Sequence, residues 1–423
     1  MKHIATLLVI FLAVPALAQQ TFIQCGRLID GKSNSVQTEM TIIVESNKII
    51  DVRKGYQSGS ANDKLINMRN QTVMPGFIDS HVHLSGETSK NKYMENFTLN
   101  DDDNALRAVK YSERTLMAGF TTVRDLGGIV AISLRNAINQ GDIKGPRILA
   151  AGKSIATTGG HADPSNGYSR ALIGDPEAKD GVINSPEEAR KAVRQRYKES
   201  SDVIKITATG GVLSNAKDGA GAQFTEDEIK AVVSTAKDYG YRVAAHAHGA
   251  EGMKRAIRAG VSSIEHGTFM DDEVIALMKE KGTYYVPTIT AGKSVADSAK
   301  IPGYYPPLVV PKAISTGPKI QSTFAKAYKE GVKIAFGTDA GVFAHGKNYK
   351  EFEYMVEAGM PAMEAIKSAT MNAADLLGIL DRTGSIEKGK FADIIAVNGD
   401  PIKDIKVLSA MTFVMKEGVV YKQ

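Results

Sequence analysis

The spacing of apolar residues differs between the two ends of the chain and its middle. Over residues 21–73, apolar and polar residues alternate in short runs such as TFIQCGRLID and MTIIVESNKII, which predicts strands of an antiparallel sheet. Residues 384–423 repeat this alternation in FADIIAVNGDP, VLSAMTFVMKEG and VVYKQ. We therefore predict one small β-sandwich domain built from both ends, residues 19–74 and 384–423.

The middle of the chain alternates apolar runs with stretches of helical pattern. The apolar runs cover 76–81, 120–125, 146–151, 203–207, 242–246, 262–266, 284–288 and 332–339. Ser185 and Thr225, each followed three residues later by Glu, are typical helix starts. Eight strand–helix units predict an α/β fold with a (β/α)8 TIM barrel over residues 75–383. The proline-rich segment 293–318 predicts a loop across the barrel mouth.

Residues 1–18 have the pattern of a secretory signal peptide. Lys2 and His3 precede an apolar run that ends in Ala16-Leu17-Ala18, a small-residue cleavage motif. We predict a secreted, periplasmic protein, with a retained N-terminal anchor as the alternative. No other apolar run is long enough to cross a bilayer, so the sequence predicts no membrane span.

Composition narrows the choice of partners. The 423 residues are 43% hydrophobic and 23% charged, which is typical of a globular protein. The net charge of +5 comes without a basic stripe, so we predict no nucleic-acid partner. A single cysteine, Cys25, can form no internal disulfide, and stability must come from packing or metals.

Seven of the eight histidines follow the signal segment, and they fall where predicted strands end. The catalytic groups of a TIM barrel lie at this edge. The first six are at or just after strand ends, and the seventh comes six residues after the last strand: His81, His83, His161, His246, His248, His266 and His345. A single His-x-His pair is weak evidence of a metal site. Lys205 is unusual within a β-branched run, where it must reach solvent, pair with Asp125 or Asp339, or be modified.

The order of these residues is similar to that of the amidohydrolase superfamily. The chain has His-x-His on strand one, Lys on strand four, His on strands five and six, and Asp on strand eight. The motifs GFIDSHVHL, GFTTVRDLGG, TGGHADP, VIKITATGGV, AAHAHGAEG, SIEHG, GTDAG and GKFADIIAVNGDP follow in the family's order. The chain most resembles the Xaa-Arg/Lys or Xaa-Pro dipeptidase-like (prolidase-like) branch, which includes ochratoxin-degrading amidohydrolases.

The resemblance implies a centre with two divalent metal ions, of which Zn²⁺ suits imidazole and carboxylate ligands best. His81, His83 and Asp339 would bind one ion, and His246 and His266 the other. Lys205, carrying a CO2-derived carbamate, would bridge them. A hydroxide between the ions would attack the amide, and Asp339 would move its proton to the leaving amine.

The resemblance also assigns substrate contacts. His161 would polarise the substrate carbonyl, and His248 would meet the substrate carboxylate; a shift of two residues in strand five would exchange the roles of His246 and His248. Tyr285 and His345 are further candidate contacts near the mouth. Arg124 is either another contact or an ion-pair partner of Asp125.

The implied activity is hydrolysis of the amide bond before a C-terminal amino acid. Its substrates would be Xaa-Arg/Lys/Pro dipeptides or N-acyl amino acids, including ochratoxin-like amides, with the side-chain preference left open. The protein would resemble dipeptidases and carboxypeptidases and form a homo-oligomer. A deaminase is one alternative, but Gly249 stands where its family carries Glu. An imidazolonepropionase-like cyclic amide hydrolase and an exported metal-binding protein also remain alternatives, whereas a carbohydrate-active barrel using Asp125 and Asp339 would leave the histidines idle.

Overall fold

The computed structural model describes residues 19–217 and 219–423, which form a mixed α/β structure. The predicted signal peptide, residues 1–18, lies outside the described residues. Among the helices of the part that the structure describes, none has the length and apolar character to cross a membrane.

The strands belong to a large mixed sheet, to two parallel sheets and to a short two-stranded pair. In chain order they are Gln20–Leu28 (β1), Gln37–Glu45 (β2), Lys48–Lys54 (β3), Lys64–Pro75 (β4), Phe77–Val82 (β5), Phe120–Asp125 (β6), Arg147–Ala150 (β7), Ala156–Thr157 (β8), Val182–Ile183 (β9), Ile204–Thr207 (β10), Val243–Ala247 (β11), Ser263–His266 (β12), Tyr284–Val286 (β13), Ile394–Asn398 (β14), Met411–Lys416 (β15) and Val419–Lys422 (β16).

The α-helices mostly follow the strands of the two parallel sheets. They are Lys92–Thr98 (α1), Asp101–Met117 (α2), Val130–Gln140 (α3), Arg170–Ile173 (α4), Pro186–Lys198 (α5), Glu226–Asp238 (α6), Ala250–Ala259 (α7), Asp272–Lys281 (α8), Ile289–Ser298 (α9), Val310–Lys329 (α10), Lys350–Glu357 (α11), Ala362–Lys367 (α12) and Ala373–Leu377 (α13). Short 3-10 turns cover Ala178–Asp180 and Ile405–Ser409, and Ser368–Asn372 is a π-helix.

Both ends of the chain contribute to one seven-stranded sheet, in the order β16-β15-β14-β4-β1-β2-β3. β4 is the junction, because it pairs in parallel with β1 and antiparallel with β14. Side chains from these strands form a core of their own, which includes Cys25, Ile42, Ile394 and Phe413. The terminal segments therefore fold together, as their alternating pattern predicts.

The middle of the chain forms parallel sheets of the orders β5-β6-β7 and β10-β11-β12-β13. The predicted eighth strand, 332–339, is not a regular strand: only isolated bridges at Ile334 and Ala340 are present. It still joins the two sheets, since Tyr285 N donates to the Lys333 carbonyl at 2.8 Å and Asp339 N to the His81 carbonyl at 2.7 Å. The left-handed φ of +59° at Asp339 interrupts the extended backbone.

The proline-rich segment 293–318 is not the predicted loop, because α9 and α10 occupy most of it. Pro311 lies in the first turn of α10, where a proline removes no intrahelical hydrogen bond, and Pro318 is tolerated inside the helix. α9 and α10 cross closely through glycines: a Cβ on Gly317 would lie 2.6 Å from the Gly292 carbonyl oxygen. The mouth of the parallel sheets is therefore flanked by a helical pair.

Candidate metal centre

The carboxyl ends of the parallel strands deliver eight of the predicted side chains to one cavity of about 240 Å³. They are His81, His83, His161, Lys205, His246, His248, His266 and Asp339. Parallel pairing explains this, because β10, β11 and β12 lie side by side and end at the same edge. Residues spread over most of the chain thus share one site.

Three residues at this edge have left-handed backbone conformations that are rare for side chains other than glycine. The φ angles are +71° at His266, +52° at Thr288 and +59° at Asp339. Such conformations cost free energy and concentrate at functional sites. Here they turn the chain as it leaves the sheets, so that side chains at these positions face the cavity.

His81, His83 and Asp339 form a cluster with the geometry of a metal-binding site. Asp339 Oδ1 lies 3.2 Å from His83 Nε2 and 3.5 Å from His81 Nε2. This oxygen is buried and receives no hydrogen bond of good geometry. Ligand atoms that gather around one point without bonding one another fit a divalent cation between them.

Lys205 lies deep in the same cavity, with an exposed fraction of only 4%. Its Nζ is 3.4 Å from His81 Nε2, and no carboxylate lies within 4 Å of it among the described residues. The predicted ion pair with Asp125 or Asp339 is therefore wrong. Burial lowers the pKa of Lys205 to about 8, which favours the neutral amine, the form that can react with CO2.

Imidazole rings make up the opposite side of the cavity. The ring centre of His266 lies 5.0 Å from that of His81 and 4.7 Å from that of His246. Burial lowers the pKa of both His246 and His266 well below the usual value, so both rings are neutral and able to coordinate a metal. His246 Nε2 lies 3.1 Å from the Gly210 carbonyl; when it donates there, Nδ1 keeps its lone pair.

Glu265 and Arg124 support this cluster from below. His81 Nδ1 lies 2.8 Å from Glu265 Oε2, and Arg124 Nη2 donates to Glu265 Oε1 at 2.9 Å. Burial alone would raise the pKa of Glu265, but Arg124 and the His81 hydrogen bond hold it at about 2. Arg124 is fully buried, so neither the substrate contact nor the pairing with Asp125 fits. Glu265 was not predicted, because strict alternation along β12 would direct it away from the His266 side.

His161 borders both the metal-centre cavity and a larger one of about 630 Å³. Its ring stacks on His246 with centres 4.3 Å apart, and its Nδ1 is buried without a hydrogen-bond partner. The ring lies against bare backbone, since a Cβ on Gly211 would come within 2.2 Å of it. Burial lowers the pKa of His161 to about 3, which keeps the ring neutral.

Three predicted substrate contacts differ in their outcome. His248 faces the cavity, with Nδ1 2.8 Å from Thr268 Oγ1, and burial lowers its pKa to about 4. Tyr285 is fully buried outside the cavity lining, and its hydroxyl donates to the His266 carbonyl at 2.9 Å. His345 also lies outside, where its Nε2 is 2.8 Å from the Gly86 carbonyl. The geometry therefore supports His248 alone as a contact; the other two hold the structure around the cavity.

The rest of the cavity wall is apolar. It is formed mainly by α9 and α10 through Ala291, Gly292, Val295, Ala313, Gly317 and Ile320. The larger cavity lies on the side of His83 and His161 and is more polar, with Tyr93, Tyr168, Tyr304, Tyr305, Lys92 and Asn215 among its lining residues. The candidate centre therefore lies between a small apolar space and a wider polar one.

A family model described as "Amidohydrolase family" matches residues 72–422. The chain belongs to the amidohydrolase family. Among related amidohydrolases, the ochratoxinase of Aspergillus niger is 33% identical over 442 aligned positions, which cover 96% of this chain and 87% of the relative. The predicted resemblance is thereby confirmed.

Solved structures place the chain within the same branch of the amidohydrolase family. A Xaa-Pro dipeptidase with methionine bound in its active site is 56% identical, with a TM-score of 0.94 over 96% of this chain and 100% of that one. A prolidase complexed with N-methylphosphonate-L-proline is 31% identical, with a TM-score of 0.88 over 96% and 100% of the two chains. The chain is a hydrolase of this family, and the family typically uses a divalent metal.

Proposed function

We propose that this amidohydrolase cleaves the amide bond before a C-terminal amino acid, in dipeptides or N-acyl amino acids. The observation that carries the proposal is the convergence of six imidazoles, Lys205 and Asp339 on one cavity. Relatives named as an ochratoxinase and as a Xaa-Pro dipeptidase with bound methionine support the substrate class.

The proposed centre holds two divalent metal ions, with Zn²⁺ as the preferred ion. His81, His83 and Asp339 would hold one ion, His246 and His266 the other, and a carbamate on Lys205 would be shared. When bound, the ions supply Lewis acidity and lower the pKa of water so that it can attack at neutral pH. Glu265 orients His81 by accepting a hydrogen bond from its Nδ1.

Asp339 and His161 are the proposed catalytic residues. Asp339 Oδ1 accepts no well-formed hydrogen bond, so it is free to take a proton from the attacking water and pass it to the leaving amine. His161 is neutral and borders both cavities, where an N–H of its ring can donate to the substrate carbonyl oxygen.

The two cavities suggest how a substrate is oriented. His248 lies on the side of Thr268 and the α9–α10 wall, where its ring can donate to a substrate carboxylate. The C-terminal residue would then occupy the small apolar space. The acyl group would extend past His83 and His161 into the wider cavity.

The substrate class is tested with matched pairs of dipeptides that end in a free carboxylate or in a carboxamide. We expect the parent protein to prefer the free acid by about 10²-fold in kcat/KM, because a site built to bind a charged group rejects the analogue that lacks it. His248→Ala should reduce this preference to less than about tenfold through a higher KM for the acid, since one charge-assisted hydrogen bond is lost. Equal cleavage of both members by the parent would contradict the proposal.

Further features of the protein are proposed on less direct support. We propose that the parallel sheets close into an eight-stranded barrel, supported by the hydrogen bonds of residues 332–340 to β5 and β13. The shared core of the terminal sheet supports a β-sandwich over residues 19–74 and 384–423. Secretion to the periplasm after removal of residues 1–18, and assembly into a homo-oligomer, are also proposed.

A further inference from the structure

Helix α9 begins at the metal-centre cavity without a cap from its own sequence. Thr288 is its N-cap residue, a position where a threonine oxygen normally accepts a backbone N–H of the first turn. No such bond is present, and Thr288 Oγ1 instead lies 2.7 Å from His266 Nδ1. The hydroxyl is thus diverted to a proposed metal ligand, and the first N–H groups of α9 need another acceptor.

Glu351, on α11, supplies that acceptor. Its Oε1 accepts from Ile289 N at 2.8 Å, and its Oε2 accepts from Thr290 N at 2.7 Å and Thr290 Oγ1 at 2.6 Å. The carboxyl group thus satisfies the first two backbone donors of α9 and one side-chain donor. A carboxylate at a helix N-terminus also interacts favourably with the helix dipole.

The position of Glu351 is energetically costly. The residue is completely buried, and no lysine, arginine or histidine lies in ion-pair distance of it among the described residues. Burial raises its pKa to about 7 in spite of three hydrogen bonds. Buried carboxyl groups without a cation are rare unless they hold a structure in place.

The segment that Glu351 holds carries two parts of the candidate site. One is Thr288, whose left-handed backbone conformation brings its hydroxyl to His266. When His266 Nδ1–H donates to that hydroxyl, Nε2 keeps its lone pair for a metal. The other is the α9 side of the apolar wall, Ala291, Gly292 and Val295.

We infer that Glu351 is a positioning residue of the metal centre: it caps α9 in place of Thr288 and so leaves the Thr288 hydroxyl to orient His266. This inference rests on the proposed function only in taking His266 as a metal ligand. It concerns no group that contacts substrate, and Glu351 acts through Thr288.

The test measures the affinity of the apoprotein for Zn²⁺ by competition with a chromophoric chelator, without substrate. Glu351→Gln replaces one acceptor oxygen by an NH2 group that faces N–H donors, and we expect about tenfold weaker Zn²⁺ binding. Thr288→Val, which lacks the hydroxyl, should weaken binding by a similar factor. Because both act through one contact, the double variant should also lose about tenfold rather than about a hundredfold.

Glu353→Gln on the same helix is the matched control, since it makes the same chemical change outside the cavity lining and should leave Zn²⁺ affinity unchanged. A folded Glu351→Gln variant with affinity within twofold of the parent would overturn the inference, as would a double variant whose loss is the product of the single losses. If Glu351→Gln does not fold, Thr290→Val removes one of the three bonds, and about threefold weaker binding is expected; unchanged binding would overturn the inference. A protein that binds Zn²⁺ in this way but hydrolyses no amide would contradict the proposed function alone.

Discussion

Lys205→Ala is expected to lose most of its bound metal and at least about 10³-fold in kcat/KM, because a residue shared by both ions orients the whole centre. Lys205 Nζ lies in the cavity beside His81 and has no carboxylate in ion-pair distance among the described residues. An ammonium group in this place would repel metal ions, whereas a carbamate would bind them. The measurements are metal content by mass spectrometry and kcat/KM on a cleaved dipeptide.

Chemical rescue distinguishes the carbamate from the free amine. Formate or acetate should restore part of the metal content and activity of Lys205→Ala, because a small carboxylate can enter the space left by the side chain. Methylammonium should restore neither. Lys300→Ala, a change to an exposed lysine, is the matched control and should match the parent. Full activity in a metal-loaded Lys205→Ala variant, or rescue by methylammonium, would refute the bridging role.

Asp339→Asn is expected to keep most of the bound metal but to lose about 10²–10⁴-fold in kcat, the usual contribution of a positioned general base. The amide oxygen can still bind a cation beside His81 and His83, whereas the side chain can no longer accept and release a proton. The experiment measures metal content and single-turnover rate in the same preparation.

A matched control for this substitution is Asp297→Asn, which changes a carboxylate exposed to solvent. It should leave both metal content and rate unchanged. An unchanged rate in Asp339→Asn would remove Asp339 as the proton carrier. Loss of the metal together with the activity would limit its role to that of a ligand.

The sequence predicted the groups at the strand ends well, because parallel pairing brings distant strand ends to one edge. His81, Lys205, His246 and His266 needed only the positions of their strands to be placed together. The signal for Asp339 was its motif rather than regular strand structure, since the segment 332–339 forms only isolated bridges.

What the sequence could not predict depends on tertiary contacts. Five prolines in 293–318 suggested a loop, but packing of α9 against α10 outweighs the cost of Pro318 inside a helix. Tyr285 and His345 are close to the mouth along the chain, yet their polar groups bond to the backbone. Glu265 and Glu351 act through partners 184 and 62 residues away, which no local pattern reveals.

The central claim, metal-dependent hydrolysis of an amide before a C-terminal amino acid, is tested most directly by one library experiment. A mixture of dipeptides and N-acyl amino acids is incubated with the purified protein, with Zn²⁺ or with a chelator, and products are identified by mass spectrometry. The account predicts that free C-terminal amino acids are released with Zn²⁺ and that the chelator abolishes release. Absence of release from fully metallated protein, or release that the chelator leaves unchanged, would contradict it.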